Sequence, residues 1–160
     1  MTTRTLILAV AAAAWASAAG QPGSAQEGDA AKLIGMWRLI AVTQDGKPDP
    51  NRGASPTGYI YYDPSGRMAV QIMPDRSLRR PYAGQQPTPE EAQTALRGYT
   101  AYFGRYKVDE RARTVTHYRE GNINPGVFDD LVRRYEFLAG DRVALMPVES
   151  KNRLVWERVK

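Results

Sequence analysis

From Leu33 to the C-terminus the chain reads as eight short runs of β-branched and aromatic residues, separated by turns and interrupted by a single helical stretch. That succession limits the possible folds more than any other feature of the sequence. Parallel neighbours need a crossover of a dozen or more residues, usually a helix. Most of the connections here are far shorter, so adjacent strands are expected to pair antiparallel. Eight such strands in simple order leave two unpaired edges unless the sheet curls and closes on itself. At eight strands the interior is just wide enough for side chains or one small ligand. The expected fold is therefore all-β, an eight-stranded antiparallel up-and-down barrel with one short helix between the third and fourth strands. A flat sandwich competes, and the short connections weigh against it.

The clearest local signal is TGYIYYDPSGRMAVQIM, residues 57–73. Pro64 fixes φ at the second turn position and Gly66 closes the turn, which predicts a hairpin of Thr57–Asp63 with Arg67–Met73. The first strand lies in LIGMWRLIAVT, residues 33–43, and runs out in the turn-rich QDGKPDPNRG. After the hairpin comes PDRSLRRPYAGQQP, an excursion rich in arginine and proline. Thr88 can cap the helix that follows, with Pro89 at its first position and Glu91 completing a capping box. The helix is expected to stop near Gly98. Beyond it YTAYFGRYKV, RTVTHYRE, LVRRYEFL, RVALMPV and RLVWERV complete the meander.

The N-terminus reads differently. Arg4 followed by TLILAVAAAAWASA has the charge, length and small residues of a secretory signal peptide, with cleavage motifs ending at Ala18 and Ala25. An uncleaved anchor is the alternative, although the apolar stretch is short for a membrane span. The expected organisation is a signal peptide and leader over 1–25, a flexible linker over 26–32 and a barrel domain over 33–160. A periplasmic or secreted location follows, with no stable membrane span after cleavage. The chain has no cysteine, so an exported domain must rely on its apolar core. The net charge is +5, and losing the leader removes only Arg4. The arginines are dispersed and no nucleic-acid motif is present, so no nucleic-acid partner is expected.

His117 is the only histidine in the sequence. Period-2 alternation puts Val115, His117 and Arg119 on one strand face and Thr114, Thr116, Tyr118 and Glu120 on the other. The apolar Val115 argues that the first face turns inward, while a slip in register would instead bring Tyr118 into the interior. His117 is then either a polar contact to a ligand in the barrel or a core histidine satisfied by a tyrosine or carboxylate. Most of the nine tyrosines fall in expected strands, where they can line a cavity or simply follow strand propensity. The candidate ligand contacts are His117, Tyr61, Tyr102 and Tyr118. Arg80, clustered with Arg76, Arg79 and Tyr82, is added as a residue that can draw an anion to the barrel mouth. A solvated loop is the plainer reading of that cluster.

Gly35-Met36-Trp37 is similar to the G-x-W signature of lipocalins. In order, LIGMWRLI, GYIYYDPSGRMAVQIM, TPEEAQTALRGYTAYFGRYKVDE, TVTHYRE and RLVWERV resemble the bacterial and fungal lipocalin-like domain family, over nearly all of residues 33–159. The resemblance implies a single small barrel and leaves the ligand open. It also implies structural roles for Gly35, Trp37 and an arginine of the last strand that packs across the tryptophan. Arg158 is the candidate, with Arg153 second.

No serine sits in a nucleophile motif, and one histidine without cysteine makes a zinc site untenable. Haem needs only one axial ligand, which His117 or a tyrosine can supply, but nothing else in the sequence asks for it. No metal or cofactor is expected, and no residue is assigned as catalytic. The leading function is binding of a small, partly hydrophobic or amphipathic molecule in the barrel after export. Two alternatives stand beside it. One is a cofactor-free isomerase, cyclase or hydrolase using His117 with Tyr118, Tyr102 or Glu136. The other is a filled barrel serving as an envelope interaction module.

Overall fold

The computed structural model describes residues 28–75 and 83–160. Its elements run α1 (Asp29–Leu33), β1 (Gly35–Gln44), β2 (Lys47–Pro48), β3 (Thr57–Tyr62), β4 (Arg67–Met73), α2 (Pro89–Leu96), β5 (Thr100–Asp109), β6 (Thr114–Asn122), β7 (Leu131–Leu138), β8 (Arg142–Pro147) and β9 (Asn152–Arg158). The expected leader over 1–25 lies outside the described residues, as do Arg76, Arg79, Arg80 and Tyr82.

Every neighbouring strand pair is antiparallel, and β1 pairs with both β3 and β9. That last pairing closes the sheet into the eight-stranded barrel expected from the meander. The two-residue β2 is extra: Lys47 and Pro48 fold back on Gln44 and Thr43 at the end of β1. The hairpin turn forms as its residues dictate, with the Gly66 N–H donating to the Asp63 carbonyl at 3.0 Å. Thr88 and Glu91 cap α2 reciprocally, side chain to backbone in both directions.

Alternation along the strands fills the interior. Ile60 and Tyr62 of β3, Met68, Val70 and Ile72 of β4, Tyr102 of β5, Val115 of β6 and Tyr135 of β7 are all buried, with Trp37, Leu39, Leu145, Leu154 and Trp156 completing one core. A fully buried large apolar side chain contributes about 1.5–3 kcal/mol, so this lining, rather than any cross-link, holds the barrel. Where a flexible linker over 26–32 was expected, the chain from Asp29 forms a turn of helix against the barrel. Asp29 accepts from the Tyr135 hydroxyl at 3.0 Å, Ala30 N donates to Glu110 at 2.9 Å, and Leu33 is fully buried. The sequence offers no periodicity over so short a stretch, and only tertiary contacts order it.

The β5–β6 pairing carries a bulge between Phe103 and Gly104. A Cβ at Gly104 would lie 2.0 Å from the Tyr118 carbonyl oxygen and 2.9 Å from Glu120 N. Backbone cannot yield to that extent without breaking the ladder. Gly104→Ala is expected to lower unfolding free energy by about 2–3 kcal/mol, the upper end of overpacking costs. Urea denaturation at equilibrium reads it directly.

Candidate functional site

The two ends of the barrel differ. At one end α1 crosses the opening. Trp37 Nε1 donates to the Leu33 carbonyl at 2.8 Å. Arg158 lies over the indole, its guanidinium carbon 4.1 Å from the ring centroid, and donates to the carbonyls of Ile34 at 2.8 Å and Lys32. A Cβ on Gly35, whose φ is +122°, would sit 3.0 Å from Arg158 Nη1. Glycine thus supplies both the backbone angle and the room for the guanidinium. Tyr135 closes the layer, its pKa pushed up to about 12 by burial and by its hydrogen bond to Asp29. This end is plugged. Arg153, the second candidate for the tryptophan's partner, instead pairs with Glu136 at 2.9 Å on an exposed face.

Deeper inside, His117 is fully buried. Its Nε2 lies 2.8 Å from the Tyr62 hydroxyl and its Nδ1 2.8 Å from the Tyr102 hydroxyl. One ring nitrogen carries the proton and donates, while the other accepts from the second tyrosine. Burial, with the nearby charges of Arg133 and Arg119, holds the imidazole pKa well below its ordinary value. Burial likewise raises Tyr62 well above its own. The triad is therefore neutral and internally satisfied. Both ring nitrogens of His117 are engaged, so neither is free for a metal, and the shifts of His117 and Tyr62 carry both away from neutral pH, which is poor equipment for acid–base catalysis.

Toward the opposite end the interior becomes polar and cationic. Arg133 of β7 occupies an inward position between Leu131 and Tyr135 and is only 8% exposed. Its Nη1 is buried and has no hydrogen-bond partner among the described residues. Arg52, in the loop between β2 and β3, reaches the same region. Its Nη2 donates to Thr100 Oγ1 at 2.9 Å and its Nε stands 3.8 Å from Asp49, yet its buried Nη1 is also unpartnered among the described residues. Burial pulls the Arg52 pKa down, and the charge of Arg133 pulls it further. Among the described residues two more buried polar atoms lack partners: Asn152 Oδ1 at the start of β9, and Trp156 Nε1 further along the strand, opposite Leu39. Arg119 stands at the edge of this region, bonded to the Asp129 carbonyl, with its guanidinium 6.0 Å from the Tyr102 ring centroid.

The structure gathers His117 and Tyr102 inside the barrel and leaves other candidates out. Tyr61 is 40% exposed on the outer face and bonds Asp63 at 3.0 Å. Register explains this: Ile60 points inward, so Tyr62, not Tyr61, shares its face. Tyr118 also faces away from His117. With Ser65, Gly66, Arg105 and Tyr106 it lines an open depression of about 270 Å³ beside the first hairpin turn. Neither Tyr118 nor Glu136 hydrogen-bonds His117. Arg80 lies outside the described residues. The residues that sequence reading passed over are Tyr62, Arg133 and Arg52. Alternation in LVRRYEFL signals Arg133, since Leu131, Tyr135 and Phe137 share its face. Arg52 has no such signal, because only the folding of a loop brings it in.

Comparison with known proteins follows the fold. The lipocalin-like domain profile matches residues 34–159. No curated protein matches the chain. Among solved structures, a DUF4847 family protein from Bacteroides vulgatus is similar at 12% identity, covering 80% of this chain and 94% of its own, with a TM-score of 0.44.

Proposed function

Since the chain belongs to the lipocalin-like domain family, we propose that it binds a small, partly hydrophobic molecule inside its barrel, at the end away from α1. One observation carries this reading. Three inward-facing side chains and one loop arginine keep buried polar atoms without partners among the described residues: Arg133, Asn152 and Arg52 toward this end, and Trp156 deeper in the barrel. Leaving a buried donor or acceptor unmet costs about 1–3 kcal/mol apiece. A barrel built only to be filled would have little reason to keep four of them. A guest that buries its body against Ile72, Leu154 and Tyr102 and presents polar atoms to these groups relieves the cost. The neutral, satisfied His117 triad then forms part of the wall.

The same proposal places this binding outside the cytoplasm, following the leader inferred from residues 1–25. The test is native mass spectrometry of the protein purified from its own cell envelope. A reproducible small-molecule adduct that is released on denaturation is the expected result. A bare chain under gentle conditions overturns the reading in favour of a ligand-free interaction module.

A further inference from the structure

Accepting that the barrel holds a guest, we infer that the guest is an oxyanion, a carboxylate or its equivalent on a small apolar body, and that Arg133 and Arg52 hold its charged head.

The argument is one of charge. Buried guanidinium groups are normally met by carboxylates, because an isolated charge in a low-dielectric interior is expensive. Arg133 is buried and forms no ion pair among the described residues, and its Nη1 has no acceptor. The Arg52 guanidinium stands 3.8 Å from the Asp49 carboxylate, itself buried and also accepting from Asn51 N at 2.8 Å. Arg119 adds a third cation near the Tyr102 ring. His117, Tyr62 and Tyr102 are neutral where they touch one another. Three arginines thus face this end of the interior, and among the described residues Asp49 is the one carboxylate that pairs with any of them. The missing charge is negative, and the missing atoms are acceptors.

The donors suit that role. Guanidinium is a rigid planar fork that matches carboxylate geometry, and charge-assisted bonds to it are roughly twice as strong as neutral ones. A neutral amide of the same shape would satisfy fewer donors and leave the charge unmet. The aromatic and aliphatic wall below the arginines, Tyr102, Val115 and Leu154 among it, provides for the body of the molecule.

The experiment uses two probes of matched shape, phenylacetate and phenylacetamide, titrated calorimetrically into the full chain. Phenylacetate is expected to bind at least about tenfold more tightly than the amide, in line with the worth of a buried charge pair. Arg133→Met should weaken phenylacetate binding at least about tenfold and raise the melting temperature of the unliganded protein, because it deletes an uncompensated buried charge. A merely structural arginine would lower that temperature. Arg52→Gln, which keeps a polar group, gives the second reading of affinity should the methionine variant fail to fold. Arg105→Gln, on the exposed outer face, should bind as the parent does. Equal binding of acid and amide, surviving Arg133→Met, overturns the inference while leaving the binding reading intact. If neither probe binds, the envelope adduct decides: an oxyanion supports the inference, a neutral molecule overturns it, and a bare chain removes both readings.

Discussion

Trp37→Ala is expected to lower the unfolding free energy by about 4 kcal/mol, within the range for deleting a buried aromatic from a core. Trp37 is 1% exposed and touches more than apolar neighbours. Its indole N–H anchors the Leu33 carbonyl, and its face carries Arg158. Removing the ring leaves that guanidinium over a void and frees α1 from the barrel end. Natural domains are stable by only about 5–15 kcal/mol, so such a loss moves the protein to the edge of folding. Arg158→Lys tests the other half. Lysine keeps the charge but cannot both stack on the indole and bond two carbonyls, so a milder loss of about 1–2 kcal/mol is expected. The double variant Trp37→Ala/Arg158→Lys should lose less than the sum, since the pair shares one contact. Urea denaturation of the three variants measures this. Full additivity would mean that the arginine and the tryptophan act independently at the plug.

The architecture was legible because it rests on local rules that add up. Period-2 runs, a Pro-Ser-Gly turn and a capped helix each fix one piece, and short connections leave closure as the way to remove the edges. The interior was only partly legible. His117 was readable because Val115 stands two residues before it and marks its face, whereas Tyr102 was one of several strand tyrosines with no such marker. In GYIYYD two tyrosines are adjacent, and a choice between them is a choice of register. Ile60 settles that choice for Tyr62 once its burial is known. Arg133 obeys the same alternation but carries a charge, and expectation places charges outside. Arg52 and α1 depend on contacts between distant parts of the chain, Arg52 with Thr100 and Ala30 with Glu110. No local pattern encodes either.

The His117 triad gives the second large effect, and it appears as a dependence on pH. In the native state the imidazole pKa lies well below the 6.5 of an ordinary histidine, while in the unfolded chain it is close to that value. Below about pH 6.5 the unfolded state therefore binds a proton that the folded state does not. The contribution of the neutral triad is complete above the unfolded pKa and is lost as pH falls below it, at up to about 1.4 kcal/mol per pH unit, until the native imidazole itself titrates. His117 is the only histidine in the chain, and the perturbed carboxylates Asp63, Glu91 and Glu157 are all shifted downward, away from this window. The slope between about pH 6.5 and 5.5 accordingly belongs to one residue. His117→Leu should abolish it. At pH 7.5 the same variant should be less stable by about 2–4 kcal/mol, because the hydroxyls of Tyr62 and Tyr102 lose their partner inside the barrel. The stability difference between parent and variant must then shrink as the solution is acidified. Urea midpoints at three pH values across the window give the result. A parent protein with a flat profile would mean that its imidazole takes up a proton as readily folded as unfolded, against the burial and the two nearby arginines that hold its pKa down.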